Sequence, residues 1–116
     1  RMRVPGDQVS TPTYNRDLAA ATLALVAMGE RGVFHVAGPD CVDRATFARR
    51  VAARVGLDAS LVDAVETAAL GQRARRPLNA GLRTEKLRAV GVTMRGVEAA
   101  VDEWRSRPAG RGWVRT

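Results

Sequence analysis

The chain reads as an α/β protein, with three to four helices and one or two clear strands. Three observations predict this. A short apolar run with β-branched and aromatic content, Val33–Ala37, lies between two helix-length stretches. Turn and capping residues bracket it: Gly29 and Gly32 before it, Gly38-Pro39-Asp40 and Asp43 after it. A further helical period, with Val97, Ala100, Val101 and Trp104 on one face, closes the ordered part. At 116 residues, the chain has room for one domain and one modest core.

Taken in order, residues 1–9 read as a short extended segment that ends in the turn-prone Ser10-Thr11-Pro12-Thr13. Asn15 is the expected N-cap of a helix from about Arg16 to Met28, with Asp17 in the first turn, where a carboxylate favours the helix dipole. Leu18, Thr22, Leu25 and Val26 share one face of it, and alanines allow close packing on the others. After the strand, Asp43 is the expected N-cap of a helix over Arg44–Val55, and Gly56 fits the C′ position. Phe47, Ala48, Val51, Ala52 and Val55 form its apolar stripe; Arg49, Arg50 and Arg54 point away from it.

Residues 57–75 are ambiguous, since Leu61–Val65 suits a strand or a continued helix. The stretch Arg73-Ala74-Arg75-Arg76-Pro77 is loop-like, because the residue before proline disfavours α. Thr84 is the expected N-cap of a short helix through Val90, closed by Gly91, and a last helix runs from about Arg95 to Arg105. One unit over residues 1–106 and a disordered tail over 107–116 are expected. Strands of a parallel sheet need neighbours and cover on both faces, so Val33–Ala37 reads as a strand borrowed from a larger sheet, and the chain as a fragment.

Composition narrows the classes. The net charge is +7, and Lys86 is the only lysine. The arginines spread along the whole chain and aromatics are few, which disfavours nucleic-acid binding despite the high charge. Cys41 is the only cysteine, which excludes an intrachain disulfide and fits a reducing cytoplasm. His35 has no partner at metal-ligand spacing and reads as a core or strand histidine. No apolar stretch approaches the ~20 residues that a membrane span needs. Arg1–Gly6 has no apolar run behind its charge, so no signal peptide is expected, and a start without methionine is expected of a fragment.

Four short motifs stand in one order: Asp7-Gln8-Val9-Ser10-Thr11-Pro12-Thr13, Gly32-Val33-Phe34-His35-Val36-Ala37-Gly38, Arg76-Pro77-Leu78-Asn79 and Leu82-Arg83-Thr84-Glu85-Lys86-Leu87. Together they resemble the C-terminal part of the dTDP-4-dehydrorhamnose reductases, extended short-chain dehydrogenase/reductases that act on nucleotide sugars. The resemblance runs from about Arg3 to Trp104 and reaches only the substrate-side half of such an enzyme. It implies an extended Rossmann-like parent and a missing N-terminal half that binds NADPH. It also implies a dTDP-4-keto-6-deoxyhexose substrate. Arg76 and Asn79 are then candidates for contacting the nucleotide-sugar or organising that wall, and Gln8 is a candidate on the substrate side. Arg75, clustered with Arg73 and Arg76 beside Pro77, joins them, since a guanidinium fork matches phosphate oxygens. The alternative is that Arg76 pairs with a carboxylate and Asn79 caps the following turn. The family usually has glycine at the position of Ser10 and serine at that of Ala80.

The chemistry of such a reductase is not carried by this chain. It has no glycine-rich turn after a strand that would admit a dinucleotide pyrophosphate. Tyr14 is the only tyrosine, and Leu18 stands four residues on, where the reductase needs lysine. Cys41 reads as structural, and Glu98, Asp102 and Glu103 as partners of arginines or solvated groups. The expectation is a chain that binds no cofactor and reduces nothing alone. Two other functions compete: a non-catalytic sugar-nucleotide-binding or regulatory relative, and, more distantly, a small basic nucleic-acid-binding domain.

Overall fold

The computed structural model describes residues 1–108. The expected disordered tail lies outside the described residues from 109 on; Arg107 itself is held, its guanidinium donating to Glu103 Oε1 at 2.9 Å.

The paired strands lie where the sequence was least explicit. β1 (Met2–Pro5) runs parallel to β4 (Val62–Val65), with Met2 opposite Val62 and Pro5 opposite Val65. This resolves the ambiguous stretch, with Leu61 ending a 3-10 turn over Ala59–Leu61. A second sheet joins three two-residue strands. β2 (Val9–Ser10) pairs antiparallel with β3 (Val42–Asp43) and parallel with β5 (Asn79–Ala80). Ser10, expected in a turn, is therefore a strand residue.

Val33–Ala37 is not a paired strand: neither sheet includes it. Its expected ladder needs a neighbour that the described residues do not supply. His35 is exposed and belongs to no paired strand, contrary to the core or strand histidine expected.

α1 spans Asn15–Ala27. It begins one residue before the expected start, because the Tyr14 carbonyl already accepts from Leu18 N at 3.0 Å. Tyr14 is the N-cap, so Asn15 does not cap. The buried face also differs from that expected. Asp17 and Ala21 are buried, whereas Leu18 and Val26 are exposed, Val26 at 73%. The alanine side lets the helix approach closely the core of Ala21, Leu87 and Val92, against which Leu25, Phe34, Val36 and Met94 also pack. Asp17 is drawn inward because it accepts from Arg95 N at 2.8 Å and pairs with the Arg95 guanidinium.

α2 spans Arg44–Val55 as the sequence predicts. Asp43 caps it, accepting from Thr46 N at 2.8 Å and from Thr46 Oγ1 at 2.6 Å. Gly56 closes it at φ 80°, in the left-handed region. α3 is short, Glu85–Ala89, and Thr84 precedes it without a side-chain cap bond. α4 spans Val97–Ser106, two residues later than the sequence suggested. The start is set from outside the helix, where Asp40 Oδ2 accepts from Val97 N at 2.8 Å. A Cβ on Gly96 would stand 2.8 Å from that same oxygen. No helix of the described residues is long and apolar enough to cross a membrane.

α2 and α4 are clamped together by charge. Arg50 donates to both Glu98 oxygens at 2.6 Å and lies 3.4 Å from Asp40 Oδ1. Arg54 forks onto Asp102, with Nε to Oδ1 at 2.7 Å. The Arg50 hydrogen bonds hold the Glu98 carboxyl down to about 2.

Candidate functional site

The Asp7-Gln8 pair organises a loop that is distant in sequence. Asp7 accepts from Thr67 Oγ1 at 2.7 Å and from Thr67 N at 3.0 Å, and these bonds lower its pKa. Gln8 is buried; its amide nitrogen donates to Thr67 Oγ1 at 2.9 Å and to Gln72 Oε1 at 3.2 Å. One residue on, Val9 N donates to the Leu78 carbonyl at 2.7 Å. The loop over 72–78 is thus tied to Gln8 at one end and to Val9 at the other. Its arch carries Arg73, Arg75, Arg76 and Pro77, all exposed.

The structure therefore brings Gln8, Arg75, Arg76 and Asn79 into one loop assembly, but in different roles. Gln8 is buried with its amide nitrogen committed to the loop's base, so it helps to position the loop. Arg75 and Arg76 have no hydrogen bond or ion pair among the described residues. The carboxylate partner considered for Arg76 is absent among the described residues. Asn79 does make the turn contact considered for it, its Oδ1 accepting from Gly81 N at 3.2 Å. Its amide nitrogen has no partner among the described residues. Ala80 lies beside it in β5, without the hydroxyl of a serine.

Thr67 and Gln72 are the site residues that sequence reasoning missed. Nothing local marks them, because they act only through partners about sixty positions away. The Pro12-Thr13 motif has a structural task. Gly38 N donates to Thr13 Oγ1 at 3.2 Å, and a Cβ on Gly38 would stand 2.0 Å from the Pro12 carbonyl oxygen.

The basic charge on the outer face of α2 is largely spent internally. Arg49 donates to the Val62 carbonyl at 2.8 and 3.2 Å, and Arg50 and Arg54 hold α4. The helix face that motivated a nucleic-acid reading is thus occupied by intramolecular bonds. A hollow of about 340 Å³ between α2 and α4 is largely apolar, lined by Phe47, Val51, Val97, Val101 and Trp104. Its lining includes Arg95, but that guanidinium is paired with Asp17 rather than open to a diphosphate.

A dinucleotide cofactor does not fit the described residues. Such a group needs a glycine turn from a strand into a helix N-terminus. Here β2 leads to α1 through Thr11-Pro12-Thr13-Tyr14, and β3 leads into α2 directly. Left-handed glycines instead follow helices, as at Gly29, Gly56 and Gly91.

The chain is a small-sheet α/β body with a tethered cationic loop, and comparison with known proteins specifies its family. The family described as "RmlD substrate binding domain" matches residues 1–107, and the chain belongs to that family. A dTDP-4-dehydrorhamnose reductase of Mycobacterium tuberculosis is 37% identical over 94 residues, 80% of this chain and 31% of that protein. A probable low-salt glycan biosynthesis reductase of Haloferax volcanii is 35% identical over 71 residues, 61% of this chain and 24% of that protein. The solved dTDP-4-dehydrorhamnose reductase of Bacillus anthracis, in complex with NADP, superposes with a TM-score of 0.77 at 25% identity, covering 88% of this chain and 36% of that one. The chain thus spans about a quarter to a third of the length of the curated relatives it matches.

Proposed function

We propose that this chain is the substrate-binding portion of a cytoplasmic reductase that acts on a dTDP-4-keto-6-deoxyhexose, the reaction type of dTDP-rhamnose biosynthesis. In this reading the cofactor, NADPH, and the catalytic tyrosine–lysine pair belong to an N-terminal portion of the longer protein. The 72–78 loop receives the sugar nucleotide. Arg76 and Arg75 engage diphosphate oxygens, Asn79 offers its amide nitrogen, and Gln8 holds the loop in place.

One observation carries the reading. The loop is fixed at both ends, yet its guanidinium groups stay exposed and have no carboxylate partner among the described residues. A pre-positioned, unneutralised pair of arginines suits a dianionic diphosphate.

Calorimetric titration of the chain with dTDP and dTDP-rhamnose tests it. Saturable binding that Arg76→Ala weakens is the expected result. Equal binding by the Arg76→Ala and Arg75→Ala variants removes the loop from the site. A non-catalytic sugar-nucleotide-binding relative would bind the same ligands through the same loop; turnover of the intact protein separates the two.

A further inference from the structure

Residues 73–77 carry the exposed arginines, yet none of these residues makes a hydrogen bond or an ion pair among the described residues. The position of the arginine loop is therefore decided at its ends. The far end is a backbone bond, from Val9 N to the Leu78 carbonyl. The near end is a chain of side chains that starts at Asp7.

Hydrogen-bond valence gives that chain a direction. An ionised carboxylate only accepts, so the single proton of the Thr67 hydroxyl goes to Asp7 Oδ1, at 2.7 Å. The Thr67 oxygen then has only lone pairs left, and the group 2.9 Å from it has to donate; that group is Gln8 Nε2. This fixes which way the buried Gln8 amide is turned. Its second N–H goes to Gln72 Oε1 at 3.2 Å. Gln72 is the last residue before Arg73. The charge on Asp7 thus reaches the root of the loop through two intervening side chains, Thr67 and Gln8.

The backbone beside this chain is held separately. Thr67–Leu70 forms a 3-10 turn, and Asp7 accepts from its first amide, Thr67 N, at 3.0 and 3.1 Å. The Arg3 guanidinium donates to the Ala69 carbonyl at 3.1 Å. Gly71 follows at φ 57°, in the left-handed region, and turns the chain toward Gln72. Asp7 and Arg3 hold the turn itself. Among the described residues, the bond from Gln8 to Gln72 is the side-chain tie that reaches past Gly71.

We infer that Thr67 is a positioning residue for the sugar-nucleotide site: its hydroxyl, oriented by Asp7, locks Gln8 onto Gln72 and so holds Arg75 and Arg76 where one diphosphate meets both. The inference rests on the reading of the 72–78 loop as the sugar-nucleotide site. Thr67 acts through Gln8 and Gln72 rather than on the ligand. Its contribution is preorganisation, which spares the ligand the entropy cost of ordering the loop.

Thr67→Val tests it, because it keeps the shape of the side chain and the amide bond to Asp7 and removes the hydroxyl. Two measurements on the intact protein that carries this chain read the effect. One is trypsin cleavage after Arg73 and Arg75 under native conditions, followed by mass spectrometry. The other is calorimetric titration with dTDP. Cleavage is expected to be at least roughly tenfold faster, since a freed loop opens more often. dTDP should bind roughly tenfold more weakly. Thr67→Ser, which keeps the hydroxyl, should restore both. Gln72→Leu, at an exposed position, breaks the last link without touching the core and should reproduce both effects. Asp40→Ala, which removes the bond that starts α4, should produce neither. Parent-like cleavage and affinity in Thr67→Val and Gln72→Leu overturn the inference. So does a loss in Thr67→Val that Thr67→Ser does not restore, because packing of the side chain then explains it. The substrate reading fails separately. Faster cleavage in a protein that does not bind dTDP leaves Thr67 as the anchor of the loop and removes the ligand. dTDP binding that Arg76→Ala weakens and Thr67→Val spares does the reverse.

Discussion

Two arginine-rich regions of this molecule use the same side chain in opposite ways. On α2, Arg50 and Arg54 fork onto Glu98 and Asp102 of α4 and tie two helices together. On the 72–78 loop, Arg73, Arg75 and Arg76 point to solvent with no carboxylate partner among the described residues. A guanidinium's role is decided by whether the fold delivers a carboxylate to it. α4 presents its acids at the spacing of one helical turn, matching the spacing of Arg50 and Arg54 on α2. Among the described residues, no such acidic partner reaches the loop arginines. One region spends charge on cohesion, and the other leaves it exposed.

Substitutions that break the clamp side should appear as lost stability, and those in the loop as lost binding. The largest effect is expected at Gly38, where a Cβ would meet the Pro12 carbonyl. Gly38→Ala drives a methyl into backbone and should cost about 3 kcal/mol, read as a large fall in melting temperature. Asp40→Ala comes next. It removes the hydrogen bond that starts α4 and one of the two acids facing Arg50, for about 2 kcal/mol in chemical denaturation. Arg76→Ala sharpens the contrast from the other side. It should leave the melt within about 0.5 kcal/mol of the parent and weaken dTDP binding about tenfold by calorimetry.

The smallest effect is the clamp's own share of the pH dependence, since Asp7, Asp43 and Asp58 outside it also titrate below their ordinary values. Glu98 titrates lower in the folded chain than its ordinary value of 4.5, so its contribution is present above that value. It is lost as pH falls from about 4.5 toward about 2. Thermal melts across that window should show a decline that Glu98→Gln flattens. An unchanged slope in the variant would place the acid sensitivity elsewhere. Arg76→Ala should leave the slope as it was.

Several elements were legible from the residues alone. Asp43 and Gly56 bound α2 because each acts on neighbours within one turn. The stripe of Val97, Ala100, Val101 and Trp104 faces the α2–α4 hollow as its helical period implies. The pairing of Glu98, Asp102 and Glu103 with arginines was legible as a class, though not as to which arginine. The family was legible in the order of its motifs. Other elements were not. Apolar periodicity placed Leu18 and Val26 on the packed face of α1, yet the alanine side is buried, because the neighbour is close and small side chains fit the gap. The two-residue strands β2, β3 and β5 are too short to leave a periodic signal.

The candidate site divides in the same way. Its charge was visible at Arg75, Arg76 and Pro77, since a cluster beside proline is a local feature. The roles of Gln8, Thr67 and Gln72 were not, since each is defined by a bond across about sixty residues. By itself the sequence determined the helix ends capped from within and the family to which the chain belongs. Only the tertiary structure decided which arginines are neutralised, which acid caps α4 from a distance, and that Val33–Ala37 lies without a backbone partner among the described residues. The physical reason is range. Caps and periods act within a turn or two of chain, whereas ion pairs, ladders and buried amides depend on which distant segments the fold brings within about 3 Å of each other.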